Sequence, residues 1–184
     1  MSALQLAIVD YGMGNIRSVR NAFARLKCDA QLVRSADDLK NADALILPGV
    51  GAFGEAMSNL QSLKLVEPIT EIVKGGTPLL GICLGMQLLS ESSEERGSHK
   101  GLGLVPGQVK SIDAPKGLRL PHVGWNSVSV TKPQPLFAGS RDQESFYFVH
   151  SYHFVCDPTH RAAGRLRCVR LLPARSRRTR VRCA

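Results

Sequence analysis

Residues 78–92 read PLLGICLGMQLLSES, an apolar run that passes through one cysteine set between glycines into a stretch of helical spacing. The run Gly81-Ile82-Cys83-Leu84-Gly85 is G-x-C-x-G at a strand-to-helix junction, the thiol form of a nucleophile elbow. Glycine suits both flanks because the turn is too tight for side chains, and the nucleophile itself sits in a strained backbone conformation. A helix is expected from the elbow to about Glu95. Its positive end favours a thiolate, and the Leu84 N–H points to where an oxyanion would form. A small buried hydrophobe in a tight turn is the plainer role for such a cysteine. The paired glycines and the strand-to-helix setting favour the nucleophile.

Outward from this unit the same alternation recurs. Short apolar runs, LQLAIV at 4–9, ALIL at 44–47 and PLLGI at 78–82, alternate with segments of helical spacing, the pattern of βαβ units around a buried parallel sheet. A further strand is expected at 30–33. Helices are expected near 16–26, with Val19, Phe23 and Leu26 on one face, after the cap Ser35, and near 53–60 and 67–74, the last closed by Gly75-Gly76. From Gly97 to Val149 the helical pattern gives way to β-type runs such as GQVKSI, WNSVSV and SFYFV among Gly and Pro turns. The fold class is therefore α/β, a mainly parallel open sheet with flanking helices plus antiparallel β segments in the second half.

Composition bounds the rest. The chain has 184 residues, 43% of them hydrophobic and 21% charged, ordinary for one soluble domain. Its net charge of +9 is not spread evenly. Residues 161–184 hold nine arginines and no acid, so the remainder is neutral. Residues 1–160 are read as the domain and 161–184 as an Arg-rich tail, disordered or derived from a frameshift, since G+C-rich coding sequence read out of frame yields such composition. The five cysteines are odd in number and widely spaced, which with the absence of a signal-peptide pattern points to free thiols and a cytoplasmic location. No apolar run approaches the roughly 18 residues of a membrane span.

Other stretches carry residues with potential for chemistry. Pro48-Gly49-Val50-Gly51 follows a neighbouring strand and opens at the same carboxyl edge as Cys83, where its backbone could give a second oxyanion donor. DYGMGNIRS at 10–18 resembles a dinucleotide fingerprint, but Arg17 occupies the third glycine position, so Gly12 and Gly14 are read as shaping a turn. His150, His153 and Cys156 have helical ligand spacing, yet FYFVHSYHFV reads as one strand, which puts His150 and His153 on opposite faces and His150 about 20 Å from Cys156. No metal and no cofactor are expected.

Taken together, GICLGMQLL, LPGVGAF, DYGMGNIRSV, LPHVGWN and YFVHSY, in their spacing over about residues 3–160, resemble the glutaminase subunits of imidazole glycerol phosphate synthase, class I glutamine amidotransferases of histidine biosynthesis with a flavodoxin-like core. The resemblance implies glutamine as substrate, hydrolysed through a cysteinyl thioester, with ammonia passed to a (β/α)₈ synthase subunit. It implies Cys83 as nucleophile and an oxyanion hole from Leu84 and the Val50-Gly51 backbone. It further implies glutamine binding by Gln87 and by the backbone of His150, Ser151 and Tyr152, and a partner interface at Asn15, Pro121, His122, Gly124, Trp125 and Asn126.

One part of the pattern is missing. The family's catalytic histidine and glutamate lie in an H-P-E-K-S motif at the end of the last core strand, where this chain reads PARSRRTRVRCA. No histidine follows His160 and no acid follows Asp157. A frameshift near Ala163 is the suggested cause, and impaired activity the expected result, since lost acid-base help costs about 10²- to 10⁴-fold. Two other readings stay open: a non-catalytic docking partner of the synthase, and a nucleic-acid binder acting through the tail. The second is disfavoured because the tail lacks interleaved aromatics. A different triad amidotransferase is compatible with the elbow alone, and PHVGWN weighs against it.

Overall fold

The computed structural model describes residues 4–114, 119–130, 139, 144–156 and 171–173. The proposed frameshift point Ala163, the ends of both acid and histidine content at Asp157 and His160, and most of the stretch read as a tail lie outside them. Residues 171–173, within that stretch, form a strand.

The first half is a parallel α/β unit. Its strands are β1 (Leu6–Val9), β2 (Ala30–Val33), β3 (Ala44–Gly49) and β4 (Leu79–Cys83), paired in the order β2-β1-β3-β4 with every pair parallel. The helices between them are α1 (Ile16–Arg25), α2 (Ala36–Leu39), α3 (Phe53–Ser62) and α4 (Val66–Lys74). Continuous apolar runs form β1 and β3 because both faces are covered. Ala7, Val9, Leu45 and Leu47 enter one core with Phe53, Met57, Leu60 and Ile69. Leu6, Ile8 and Ile46 enter a second core against Ile16, Val19 and Phe23 of α1. Leu26, expected on that helical face, is 70% exposed because it caps the helix and turns away. At α2 the Ser35 cap is reciprocal, with Asp38 accepting from the Ser35 backbone.

The helix after the elbow is shorter than the spacing suggested. It forms α5 (Leu84–Gln87), not a helix to Glu95. Beyond it, backbone groups find partners elsewhere: Leu102 N–H donates to the Leu88 carbonyl, Glu91 N–H to Gly107, and Glu94 N–H to Val109. The Ser90 hydroxyl bonds the Ser92 carbonyl, the local competition by which serines end helices.

The second half is β-rich as expected. One sheet runs β10 (Tyr152–Cys156), β7 (Gly107–Ser111), β5 (Ser92–Ser93) and β6 (His99–Lys100); another runs β11 (Leu171–Pro173), β8 (His122–Val130) and β9 (Glu144–His150). FYFVHSYHFV forms two strands, not the single one its alternation suggests. The chain bends at Ser151 and changes sheets, so His150 ends β9 and His153 lies in β10. Pairing of β9 with β8 and of β10 with β7 draws the two strands apart. Cys28 and Cys83 are free thiols, whereas Cys156 is disulfide-bonded, against the expectation of free cysteines throughout. Among the described residues no helix is long and apolar enough to cross a membrane.

Candidate active site

Cys83 stands at the end of β4 and caps α5 with φ +55° and ψ −118°, a conformation that costs a residue with a Cβ about 1–3 kcal/mol. The neighbours explain the glycines. A Cβ at Gly81 would lie 2.6 Å from the Met86 Cα, and one at Gly85 would overlap the Leu47 carbonyl. The helix start is thus pressed onto β3, and Cys83 is left exposed at its corner.

Register carries the oxyanion loop to the same place. Gly49 pairs with Cys83 and Pro48 with Ile82. A Cβ at Gly49 would lie 2.8 Å from the Gly85 nitrogen and 2.6 Å from the Tyr11 hydroxyl. Val50, 53% exposed, and Gly51, at φ +103°, follow directly. Leu84 is the first residue of α5, so its N–H has no acceptor within the helix.

Tyr11 was not singled out by the sequence. It lies one residue beyond Asp10 in the first βα turn, is 2% exposed, and donates its hydroxyl to the Pro48 carbonyl at 2.8 Å. Burial, helped by the nearby Cys83 thiol, holds its phenol well above the ordinary range, so it remains a donor. The same turn packs on the loop at two more points, Gly14 against Pro48 and Gly51 against Met13. Gly12 has φ +86°, which fits the turn-shaping role. A polar aromatic just past a buried strand was the available signal.

Gln87 reaches the other segment expected to bind glutamine. Its Nε2 donates to the Tyr152 carbonyl at 3.2 Å. The same carbonyl lies 3.0 Å from His150 Nδ1, and His150 Nε2 lies 2.9 Å from His122 Nδ1. Asn126 Nδ2 is 2.6 Å from His122 Nε2. Burial lowers the His150 pKa, the Tyr152 carbonyl opposes this, and repulsion from His122 and His153 adds to it.

The remaining expected positions are surface features of α1 and β8. Asn15 caps α1, accepting from the Ser18 N–H at 3.2 Å. Trp125 is 72% exposed and meets Tyr147 edge-on, with ring centroids 5.5 Å apart. Pro121 is exposed, and Gly124 has open space where a Cβ would be. No described residue hydrogen-bonds the Cys83 thiol, and no described group of three or more His, Cys, Asp or Glu could hold a metal. A separate recess of about 520 Å³ beside α1, lined by Asp10, Arg17, Arg20 and Arg34, contains no nucleophile.

Comparisons with known proteins bear on the family and the fold. Residues 7–163 match the family model of glutamine amidotransferase class-I. The imidazole glycerol phosphate synthase subunit HisH of Sulfurimonas denitrificans is 50% identical over 163 residues, covering 87% of this chain and 78% of that protein. The HisH subunit of Moorella thermoacetica is 49% identical over 150 residues, covering 82% and 70%. In fold, the chain is similar to a glutamine amidotransferase crystal structure at TM-score 0.64 and 21% identity, covering 81% of this chain and 73% of that one. It is also similar to PurLQS from Thermotoga maritima, at TM-score 0.66 and 18% identity, covering 95% and 76%.

Proposed function

Since this chain belongs to the class-I glutamine amidotransferases, among the HisH glutaminase subunits of imidazole glycerol phosphate synthase, we propose how its own residues serve that activity in histidine biosynthesis. Cys83 attacks the side-chain amide carbon of glutamine. The oxyanion that forms is held by the N–H groups of Leu84 and of Val50-Gly51, and its collapse breaks the C–N bond and leaves a thioester. Water then cleaves the thioester to glutamate and regenerates the thiol. Gln87 and the backbone of His150, Ser151 and Tyr152 hold the glutamine. The observation that carries this reading is the strained Cys83 elbow paired with Gly49, which brings nucleophile and oxyanion loop to one sheet edge.

The chain works as a subunit that pairs with a synthase. The finer proposal is a (β/α)₈ partner in the cytoplasm, docking on Asn15 and on the segment Pro121, His122, Gly124, Trp125 and Asn126, with residues 1–160 as the amidotransferase domain. Exposed Trp125 beside Tyr147 supports a docking face, since aromatic anchors of this kind dominate interfaces.

Catalysis by this chain is proposed to be impaired. The leaving ammonia needs a proton and the thiol a base, and no described residue hydrogen-bonds Cys83 to supply either. This favours, as a second reading, a subunit that docks without making ammonia. Glutamate release by the chain mixed with a synthase subunit separates the two. Slow release that vanishes in Cys83→Ser supports an impaired glutaminase. A complex that forms but uses only added ammonium salts supports docking alone, and no complex at all rejects both.

A further inference from the structure

The segment proposed to bind glutamine and the strand proposed to dock the partner are joined by an unbroken row of hydrogen bonds. Asn126, His122 and His150 follow one another at 2.6 and 2.9 Å, and the row ends on the Tyr152 carbonyl at 3.0 Å. Its direction is set at the carbonyl end. A carbonyl can only accept, so His150 Nδ1 carries a proton. In neutral His150, Nε2 must then accept, so His122 Nδ1 donates. His122 Nε2 accepts in turn, and Asn126 must present its amide N–H. Both rings are thereby fixed as Nδ1–H tautomers.

The rings are also clamped. Phe148 stacks on His122 with centroids 5.6 Å apart and lies tilted against His150 at 5.5 Å. At the far end, the Tyr152 carbonyl receives its second hydrogen bond from Gln87 of α5, so both of its lone pairs are engaged.

We propose that Asn126, His122 and His150 form a positioning relay that couples docking on β8 to the glutamine-binding backbone at Tyr152. The row has two discrete states. In the one described, donors run toward the carbonyl and hold its peptide against Gln87. In the reversed one, His150 Nδ1 presents a lone pair to the carbonyl oxygen, and the peptide must swing away. A docked partner bears on β8 through Trp125, the neighbour of Asn126, and so selects the first state. Coupling of this kind needs a bistable element that both sites bias, and the tautomer row supplies it. The inference rests on the glutaminase reading for the identity of the two sites.

The test uses the full chain with ¹⁵N-labelled histidine and long-range ¹H–¹⁵N correlation spectra, together with L-glutamine titrations with and without the synthase subunit. In the wild type, His122 and His150 should both be neutral Nδ1–H tautomers. His122→Phe keeps the ring against Phe148 but removes the donor to His150. It should release His150 from that tautomer, weaken glutamine binding about fivefold or more, and abolish the gain in affinity on adding the synthase. His122→Asn places an amide N–H where Nδ1 was, so it should restore the His150 tautomer and the glutamine affinity, while the gain on adding the synthase stays lost because the contact with Asn126 is gone. An Nε2–H tautomer of wild-type His150 would overturn the relay whether or not any variant folds. So would His122→Phe binding glutamine as the wild type does. A wild type with the stated tautomers that binds no glutamine would reject the glutaminase reading instead, leaving the polarity of the row established and its coupling role refuted.

Discussion

The Tyr11 hydroxyl donates to the Pro48 carbonyl at 2.8 Å, tying the first βα turn to the strand end that pairs beside Cys83. Removing that hydroxyl leaves a carbonyl without its donor in a buried place. Tyr11→Phe should therefore lower unfolding free energy by about 1–3 kcal/mol, read from urea titrations. The raised pKa of the phenol adds a pH signature. The folded state keeps a proton that the unfolded state releases above its ordinary value of about 10, so this contribution holds below pH ~10 and is lost as pH rises past it. The Tyr11→Phe chain should lose less stability than the wild type over that alkaline range, and equal slopes would refute the assignment.

Two glycines separate lack of space from backbone strain. Gly85→Ala would drive a methyl into the Leu47 carbonyl, whereas Gly103 has φ +62° but nothing near its missing Cβ. Gly85→Ala should cost at least ~3 kcal/mol or prevent soluble expression, and Gly103→Ala about 1 kcal/mol. Equal urea midpoints for the two variants would contradict the packing at the elbow.

His153 has a buried Nδ1 with no hydrogen-bond partner among the described residues, and burial lowers its pKa despite the attraction of Glu94. A histidine whose folded pKa is depressed is protonated first in the unfolded state. Its contribution is intact above the ordinary value of about 6.5 and falls away as pH drops below it. His153→Phe should be neutral or stabilising at pH 8, within ~1 kcal/mol, and should flatten the loss of stability between pH 6.5 and 5. A steeper acid slope in the variant would show that His153 is not responsible.

Trp125 is exposed, and its ring meets Tyr147 edge-on. Trp125→Ala should shift unfolding free energy by less than ~1 kcal/mol yet weaken synthase binding at least tenfold, since buried aromatic anchors cost about 2 kcal/mol or more when truncated. Calorimetry of complex formation checks this, and unchanged affinity would remove β8 from the interface.

Much of this was legible because the first half repeats one physical pattern. β1, β3 and β4 are apolar runs, β3 ending in Pro48-Gly49 and β4 entered from Pro78, and their order along the chain places Cys83 and Gly49 on one edge. The exit from the elbow helix was harder to read, because MQLLSES keeps helical apolar spacing while its serines and the Gly101–Val105 backbone draw the chain into β structure. Alternation alone also could not reveal the break at Ser151. Residues 146–155 remain β-type on both sides of it, and only pairing with two different strands separates them. Tyr11 escaped notice because its role depends on a contact 37 residues away.

The alternation of β8 and β9 has a consequence for engineering. Val123, Trp125, Tyr147 and Val149 point outward, while His122, Asn126, Phe148 and His150 point inward from the same two strands. A library confined to the outward four changes the exposed face around Trp125 while the inward row from His122 to His150 stays fixed. A single inserted residue in β8 would turn the β8 members of each row past it onto the opposite face, breaking both rows at once.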